Sequence, residues 1–183
     1  MVGFELERFI EACRGAVTST DPEGAVRELV AEAVADPTTA RVLGEPEHAG
    51  LKPLQRSPEL TVLDFTWAPL QCFKPHDHHM WSVVGLLSGR EDNVIWRRCE
   101  TTIEAVGARS LGAREVTVLP VDVIHSVTNP IGKRTRALHV YGGDFFAPPR
   151  PRSEWDHETL VERPWDLEET KRRFLEAEAR FGA

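Results

Sequence analysis

The chain has 183 residues and a formal net charge of −7, which suits one domain (1–183) with a real core and offers no basic face for nucleic acid. No apolar run approaches the roughly 20 residues that a membrane span needs, and the acidic residues within positions 1–14 exclude a signal peptide. The cysteines, Cys13, Cys72 and Cys99, form no CxxC pair and fit free thiols in a reducing cytoplasm.

The N-terminal region, residues 1–45, is predicted to be helical. Apolar residues recur at helical spacing over residues 4–17. Asp21 followed by Pro22 has the chemistry of a second helix start, with the aspartate as N-cap and the proline in the first turn. Glycines and prolines are frequent in residues 44–58, which predicts a loop that leads into the next part of the chain.

Residues 59–146 change to a period of two and are predicted to form the core of a barrel. Short strands separated by turns in this way are typical of a β-sandwich or barrel. The turn chemistry of residues 89–93 predicts that Glu91 and Asp92 are solvated turn charges. The predicted strands cover residues 60–67, 81–87, 94–98, 115–119 and 137–141.

Residues 147–183 are predicted to form an extended tail followed by a helix. The prolines after Phe146 favour an extended chain, and Asp166 is placed to cap the final helix. Because that helix carries many charges, we expect it on the surface.

The most informative polar residues are two histidines that lie two positions apart. His76 and His78 point the same way if their segment is a strand, and two such imidazoles can bind one divalent ion at about 2.0–2.2 Å. His79 points to the opposite face and is interpreted as structural. Taken alone, a pair of this kind is more often not a metal site.

A third histidine, His125, begins a later strand. It follows a strand that ends before Pro120, and the strand that His125 begins ends at Asn129. On its own it would be interpreted as a buried core histidine. A barrel folded in this order can bring His125 beside His76 and His78, so the two segments together predict a metal site.

These two segments resemble the two conserved motifs of the cupins. The first cupin motif usually reads HxHxxxE, in which the glutamate is a fourth metal ligand, and Ser82 stands at that position here. The remaining set of His76, His78 and His125 is similar to that of the thiol dioxygenases, which include cysteine dioxygenase and its bacterial mercaptopropionate-oxidising relatives. The resemblance therefore implies a metal site without a carboxylate ligand.

Other segments extend the resemblance over roughly residues 4–146. Trp67 precedes the histidine pair as a tryptophan does in that family, and residues 75–78 followed by Trp81 are similar to the bacterial members. The segment Leu138–Tyr141 resembles the family's LHxY segment, whose tyrosine lies over the metal.

The chain also departs from the family pattern. Ala137 stands where the family has a serine two residues before the histidine of LHxY. The cysteine that some members crosslink to the tyrosine aligns near Ser82 or Val83, so this crosslink cannot form here, and bacterial relatives also lack that cysteine.

The resemblance implies a mainly β cupin fold, a double-stranded β-helix (jelly-roll barrel) with N-terminal helices and a C-terminal helix. It implies iron(II) on the three histidines, dioxygen and a small cysteine- or mercaptopropionate-like thiol as partners, and a sulfinate as product. Tyr141, oriented by His139, is the implied catalytic hydrogen-bond donor. Arg56 is the candidate for binding the substrate carboxylate, and Trp81 is a candidate substrate contact.

Several alternatives stay open. The chain could instead be a metal-dependent cupin that acts on a non-thiol small molecule, because this fold hosts many reactions, or a sensory or storage cupin without turnover. Three imidazoles also suit nickel, zinc or copper, and a homo-oligomer is compatible with the sequence. His139 and Tyr141 could form a packed polar pair at the barrel rim, and Arg56 could be a solvated loop arginine.

Overall fold

The computed structural model describes residues 3–181, so residues 1–2 and 182–183 lie outside it. The described chain begins with helices, continues with strands and ends with a helix, in the predicted order. The helices are α1 (Leu6–Ala16), α2 (Pro22–Ala35), α3 (Thr39–Leu43) and α4 (Leu167–Phe181). The strands are β1 (Gly50–Arg56), β2 (Thr61–Trp67), β3 (Cys72–Asp77), β4 (Ser82–Ser88), β5 (Arg90–Arg98), β6 (Ile103–Gly112), β7 (Val116–Leu119), β8 (Ile124–Thr128), β9 (Thr135–Tyr141), β10 (Ser153–Trp155) and β11 (Glu162–Pro164).

The strands form two antiparallel sheets. The first sheet has the order β1-β2-β9-β4-β7, and the second sheet has the order β11-β10-β3-β8-β5-β6. From β2 to β9 the chain passes back and forth between the two sheets, which is the arrangement of a double-stranded β-helix. Side chains of both sheets, such as Phe65 and His125, line one interior cavity. The predicted mainly β jelly-roll fold with helices at both ends is confirmed.

Both predicted helix caps are present. The side chain of Asp21 accepts a hydrogen bond from the Gly24 N–H at the start of α2 (3.0 Å), and Asp166 accepts from the N–H groups of Glu168 and Glu169 (2.8 and 3.0 Å) at the start of α4. These bonds satisfy backbone donors that have no partner within a helix. No helix of residues 3–181 is both long and apolar enough to cross a membrane.

The segment predicted to be a loop, residues 44–58, contains strand β1. It pairs with β2 in antiparallel register, for example Leu51 with Phe65. The prolines and glycines that suggested a loop are tolerated because β1 is the edge strand of its sheet, where a missing N–H costs little.

The turn predicted at residues 89–93 is confined to Gly89, which has a φ of +85°. Strand β5 begins at the next residue, and Glu91 is therefore not a solvated turn charge. Its side chain turns into the barrel, where it is 1% exposed. Local sequence could not reveal this because burial in a sheet overrides the low strand propensity of an acidic residue.

Helix α4 closes one end of the barrel, a more specific role than the surface position predicted from its charges. Phe174 is buried against the rings of Phe65, Trp67 and Phe73. Arg173 donates to both oxygens of Glu154 of β10, with N–O distances of 3.0 Å, which ties the helix to the second sheet. The C-terminal segment thereby becomes part of the wall of the interior cavity.

Helix α2 packs directly on strand β4 at Gly85. A Cβ atom at this position would lie 2.4 Å from Cγ1 of Val30 and 2.9 Å from Cγ1 of Val34. Both valines are buried in the core between helix and sheet. Since β-branched side chains are stiff, the glycine sets the distance between helix and sheet.

We expect Gly85→Ala to lower the free energy of unfolding by about 1–3 kcal/mol, because the added methyl overpacks this contact. Denaturant unfolding of the metal-free wild type and variant measures this change in the free energy of unfolding. Gly107→Ala is the matched control, because a Cβ there meets nothing within 4 Å and the change should stay within about 0.5 kcal/mol. Equal stabilities of the two variants would contradict the prediction.

Candidate metal centre

The three predicted histidines come from two neighbouring strands of the second sheet. His76 lies near the end of β3, His78 follows directly after that strand, and His125 lies in β8. His76 and His125 are partners in the β3–β8 register, so their side chains share the inward face of the sheet. His79 lies apart from them, near Asp77, with its Nε2 3.4 Å from an oxygen of that carboxylate.

The Nε2 atoms of the three rings converge on one point. Nε2 of His78 lies 3.1 Å from Nε2 of His76 and 3.4 Å from Nε2 of His125. Within residues 3–181, these three side chains form the one group of potential ligands whose donor atoms all lie within 4.8 Å of one another. The group contains no carboxylate.

Two of the rings are held so that Nε2 is free to bind an ion. Nδ1–H of His76 donates to the carbonyl oxygen of Lys74, and Nδ1–H of His125 donates to Oδ1 of Asn93, both at 2.8 Å. A neutral ring with its proton on Nδ1 presents a lone pair at Nε2. Nδ1 of His78 is buried and has no hydrogen-bond partner among the described residues. No hydrogen bond at Nδ1 therefore determines which nitrogen of this ring carries the proton.

The electrostatics of the cluster favour neutral imidazoles. Burial lowers the pKa of His76 to about 4. Burial and the neighbouring histidines hold the pKa of His78 and His125 well below its usual value. Converging lone pairs of neutral imidazoles repel one another unless a proton or a cation lies between them. The donor set therefore fits a divalent first-row metal, for which neutral histidine is a common ligand.

The cluster faces a cavity of about 30 Å³, which is room for roughly two water molecules. The wall combines aromatic side chains with polar groups, and none of its lining residues is acidic. Trp165 and Thr170 of the C-terminal segment form part of the wall. A ligand larger than about two water molecules needs more room than this cavity provides. The C-terminal segment is a part of the wall that lies outside the barrel strands.

His139 and Tyr141 of β9 both line the cavity, as expected from their spacing on one strand. Nδ1 of His139 lies 3.1 Å from the phenol oxygen of Tyr141, and the Tyr141 ring stands edge-on to His78, with ring centroids 5.3 Å apart. Burial lowers the pKa of His139 to about 3, so the ring is neutral. If His139 donates from Nδ1, the phenol proton is free to point into the cavity.

The structure places a different arginine in the cavity from the one proposed from sequence. Arg152, at the end of the extended tail, is 4% exposed and lines the cavity. Its guanidinium lies between the rings of Trp165 and Phe145, 3.6 and 4.3 Å from their centroids. One nitrogen, Nη2, donates to the carbonyl oxygen of Phe145 (2.9 Å), whereas Nε and Nη1 are buried without a partner in the described chain.

Arg56 does not line the cavity, which corrects its assignment as the carboxylate-binding residue. Its side chain is 51% exposed, and Nε and Nη2 donate to the carboxylate of Asp144. The guanidinium also lies over the ring of Phe146. A cation already paired with a carboxylate at the surface has little left to offer a substrate.

Trp81 also lies outside the cavity. Its ring packs over Gly142, where a Cβ atom would come within 2.1 Å of Cε2 of the indole, and it joins the core beneath the N-terminal helices. It is therefore a packing residue in this structure and not a substrate contact.

No family model matches the chain. Several solved structures share its barrel at low similarity. A cupin-family protein with a double-stranded β-helix fold from Methanocaldococcus jannaschii is 8% identical, with a TM-score of 0.47 over 56% of this chain and 86% of that protein. A protein with a double-stranded β-helix domain from Klebsiella pneumoniae is 10% identical, with a TM-score of 0.44 over 67% of this chain and 89% of that one.

Oxalate decarboxylase from Bacillus subtilis is 14% identical, with a TM-score of 0.43, and the match covers 54% of this chain. It covers only 24% of the decarboxylase, so this chain spans about a quarter of that protein's length. Similarity at this level concerns the barrel alone and identifies no reaction.

Proposed function

We propose that the protein is an iron(II)-dependent dioxygenase that oxidises a small thiol carrying a carboxylate to its sulfinate. His76, His78 and His125 would hold the ion. Iron(II) held there would activate dioxygen and would bind the substrate sulfur as thiolate, as the resemblance to the thiol dioxygenases implies.

The observation that carries the proposal is the buried, incompletely bonded Arg152 beside the histidine cluster. Burial lowers the pKa of Arg152 to about 10, which still leaves the guanidinium charged at neutral pH. Two of its nitrogens have no partner within residues 3–181, and a buried unpaired donor is costly unless a ligand satisfies it. A carboxylate fits because guanidinium binds it through two parallel hydrogen bonds.

The charge of the cavity supports the same substrate class. A divalent ion on neutral histidines and the guanidinium of Arg152 sum to three positive charges, and no acidic side chain lines the cavity. A thiol acid bound as thiolate and carboxylate brings two negative charges to these two points. An amine without a carboxylate would leave Arg152 unpaired, so we expect the thiol acids to be preferred.

The reaction needs no outside reductant. Both atoms of dioxygen are added to the sulfur of RSH to give RSO₂H, so sulfur loses four electrons and dioxygen gains four. The protein residues bind and orient the substrate and do not change oxidation state. Tyr141, with its ring oriented by His139, would donate a hydrogen bond to the reacting groups as charge develops there.

Oxygen consumption by the iron(II)-loaded protein tests the proposal. The panel compares 3-mercaptopropionate and cysteine with cysteamine, which lacks the carboxylate, and with a diketone, which lacks the thiol. We expect turnover with the thiol acids and sulfinate as the product. Turnover of the diketone alone would instead support a non-thiol cupin enzyme, and no turnover of any compound would support a protein without catalysis.

We expect Tyr141→Phe to lower turnover of the preferred thiol acid by about tenfold or more, because one hydrogen bond to developing charge is removed. The ring and its contacts with His78 and Phe145 are kept, so metal content and the fold should be retained. Loss of the partner of His139 Nδ1 should lower the free energy of unfolding by no more than about 1–3 kcal/mol. Steady-state oxygen uptake and metal analysis are the measurements. An unchanged rate would assign His139 and Tyr141 to a packing role.

A further inference from the structure

A chain of hydrogen bonds connects His125 to two buried side chains behind it. Nδ1–H of His125 donates to Oδ1 of Asn93 (2.8 Å), and Nδ2–H of Asn93 donates to Oε1 of Glu91 (2.9 Å). The other carboxylate oxygen of Glu91 accepts from Nε1–H of Trp67 (3.0 Å). Glu91 and Asn93 are 1% and 3% exposed, so water does not substitute for these bonds.

The direction of every hydrogen bond in this chain follows from its two ends. The indole of Trp67 can only donate, and the two carboxylate oxygens of Glu91 accept from it and from the Asn93 amide. Burial raises the pKa of Glu91, whereas these two donated hydrogen bonds favour its ionised form, which can only accept. Asn93 must therefore direct its NH₂ group toward Glu91 and its carbonyl oxygen toward His125. Because a carbonyl oxygen only accepts, His125 must carry its proton on Nδ1, which leaves the lone pair of Nε2 for the ion.

An amide by itself does not impose this direction. If Asn93 were rotated by half a turn, its NH₂ group would face His125 and would favour the tautomer with the proton on Nε2. That tautomer cannot bind a metal through Nε2. His76 does not face this ambiguity, because its Nδ1–H donates to a backbone carbonyl, which is always an acceptor.

We propose that Glu91 is a positioning residue of the metal centre, which orients the Asn93 amide and thereby holds His125 in the tautomer that an ion requires. This inference rests on the metal site of the proposed function but not on the reaction. It also gives a role to a buried carboxylate that has no cationic partner in the described chain. Burying such a group is unfavourable unless its hydrogen bonds are satisfied.

Glu91→Gln tests the proposal with nearly the same side-chain shape. Glutamine has one acceptor and one donor end, and the N–H of Trp67 takes the acceptor. The NH₂ end then faces Asn93, reverses its amide and favours the proton on Nε2 of His125. We expect Zn²⁺ affinity, measured by competition with a chelator, to fall about 10- to 100-fold. Nitrogen-15 NMR of the metal-free protein should report the Nδ1–H tautomer of His125 in the wild type and the Nε2–H tautomer in the variant.

The double variant Trp67→Phe with Glu91→Gln separates orientation from packing. Without the indole N–H, the acceptor end of the glutamine is free to turn toward Asn93 and to restore the original direction. The double variant should therefore bind Zn²⁺ more tightly than Glu91→Gln alone, by about tenfold if the affinity is fully regained. If both residues only stabilised the barrel, their losses would add instead, and additive losses would overturn the proposal.

Asp92→Asn is the matched control for loss of one negative charge. Asp92 is adjacent in the strand but pairs with Arg90 and does not belong to the hydrogen-bond chain. Its Zn²⁺ affinity should equal that of the wild type. A wild-type protein with His125 in the Nε2–H tautomer would overturn the proposal without any variant. Because no thiol or dioxygen enters these measurements, their outcome is independent of whether the protein oxidises thiols.

Discussion

Replacing Arg152 by methionine is expected to lower kcat/KM for 3-mercaptopropionate by roughly 100-fold, equivalent to about 2.7 kcal/mol of transition-state binding. Methionine keeps an unbranched apolar stem between Phe145 and Trp165 but removes the positive charge and its donors. The carboxylate would then be buried without a partner, which is the costly case for an ionised group. The loss for cysteamine should be much smaller, since this thiol has no carboxylate.

Arg56→Met is the matched control for this variant. Arg56 carries the same charge, but it is half exposed and bound to Asp144 outside the cavity. We expect its kcat/KM for both thiols to remain close to that of the wild type. Equal losses on both thiols in Arg152→Met, with metal content unchanged, would assign Arg152 a structural role. A selective loss in Arg56→Met would return the carboxylate site to the residue inferred from sequence.

The parts of this protein that sequence could predict are those encoded by local patterns. The alternation of polar and apolar residues predicted the strand that carries Phe65, and the proline after Asp21 predicted the start of α2. The spacing of His76 and His78 predicted that both side chains point one way. A barrel then brings His125 to them, because β3 and β8 are neighbours in the sheet.

The features that sequence did not reveal depend on contacts between distant segments. Arg152 follows three prolines in a tail with no periodic pattern, and only its position between Phe145 and Trp165 distinguishes it from a solvated arginine. Glu91 and Asn93 follow a glycine in a stretch that looks like a turn. The side chains of Glu91 and Asn93 point inward and that of Asp92 points outward, which is the alternation of a strand. Because all three residues are polar, this alternation cannot be recognised from hydrophobicity.

The cavity is lined both by residues that local sequence patterns predicted and by residues that they did not. The predicted barrel region, residues 59–146, supplies the histidines and Tyr141, whereas the C-terminal segment supplies Arg152, Trp165 and Thr170. The candidate metal ligands therefore belong to the barrel, and the proposed carboxylate site belongs to the segment that follows it. A barrel of this kind can keep one metal centre while a different terminal segment changes which ligand is accepted.

His78→Ala is expected to abolish tight metal binding and, with it, all turnover. Structural zinc sites contribute on the order of 10–16 kcal/mol through four ligands, so an even share is about 2.5–4 kcal/mol per ligand. This corresponds to a loss in affinity of roughly 70- to 1,000-fold. Of the three ligands, His78 gives the cleanest test, because its Nδ1 has no hydrogen-bond partner among residues 3–181 that the substitution would leave unsatisfied.

His125→Ala should lose metal to the same extent but should also destabilise the metal-free protein, because Oδ1 of Asn93 would be left buried without its donor, at a cost of about 1–3 kcal/mol. His79→Ala is the matched control, since it removes the adjacent histidine, which lies near Asp77 and outside the cluster. Metal content after chelator dialysis and denaturant unfolding of the metal-free forms are the two measurements. If His78→Ala retained metal as well as His79→Ala does, the three converging rings would be a packed histidine cluster and not a metal centre.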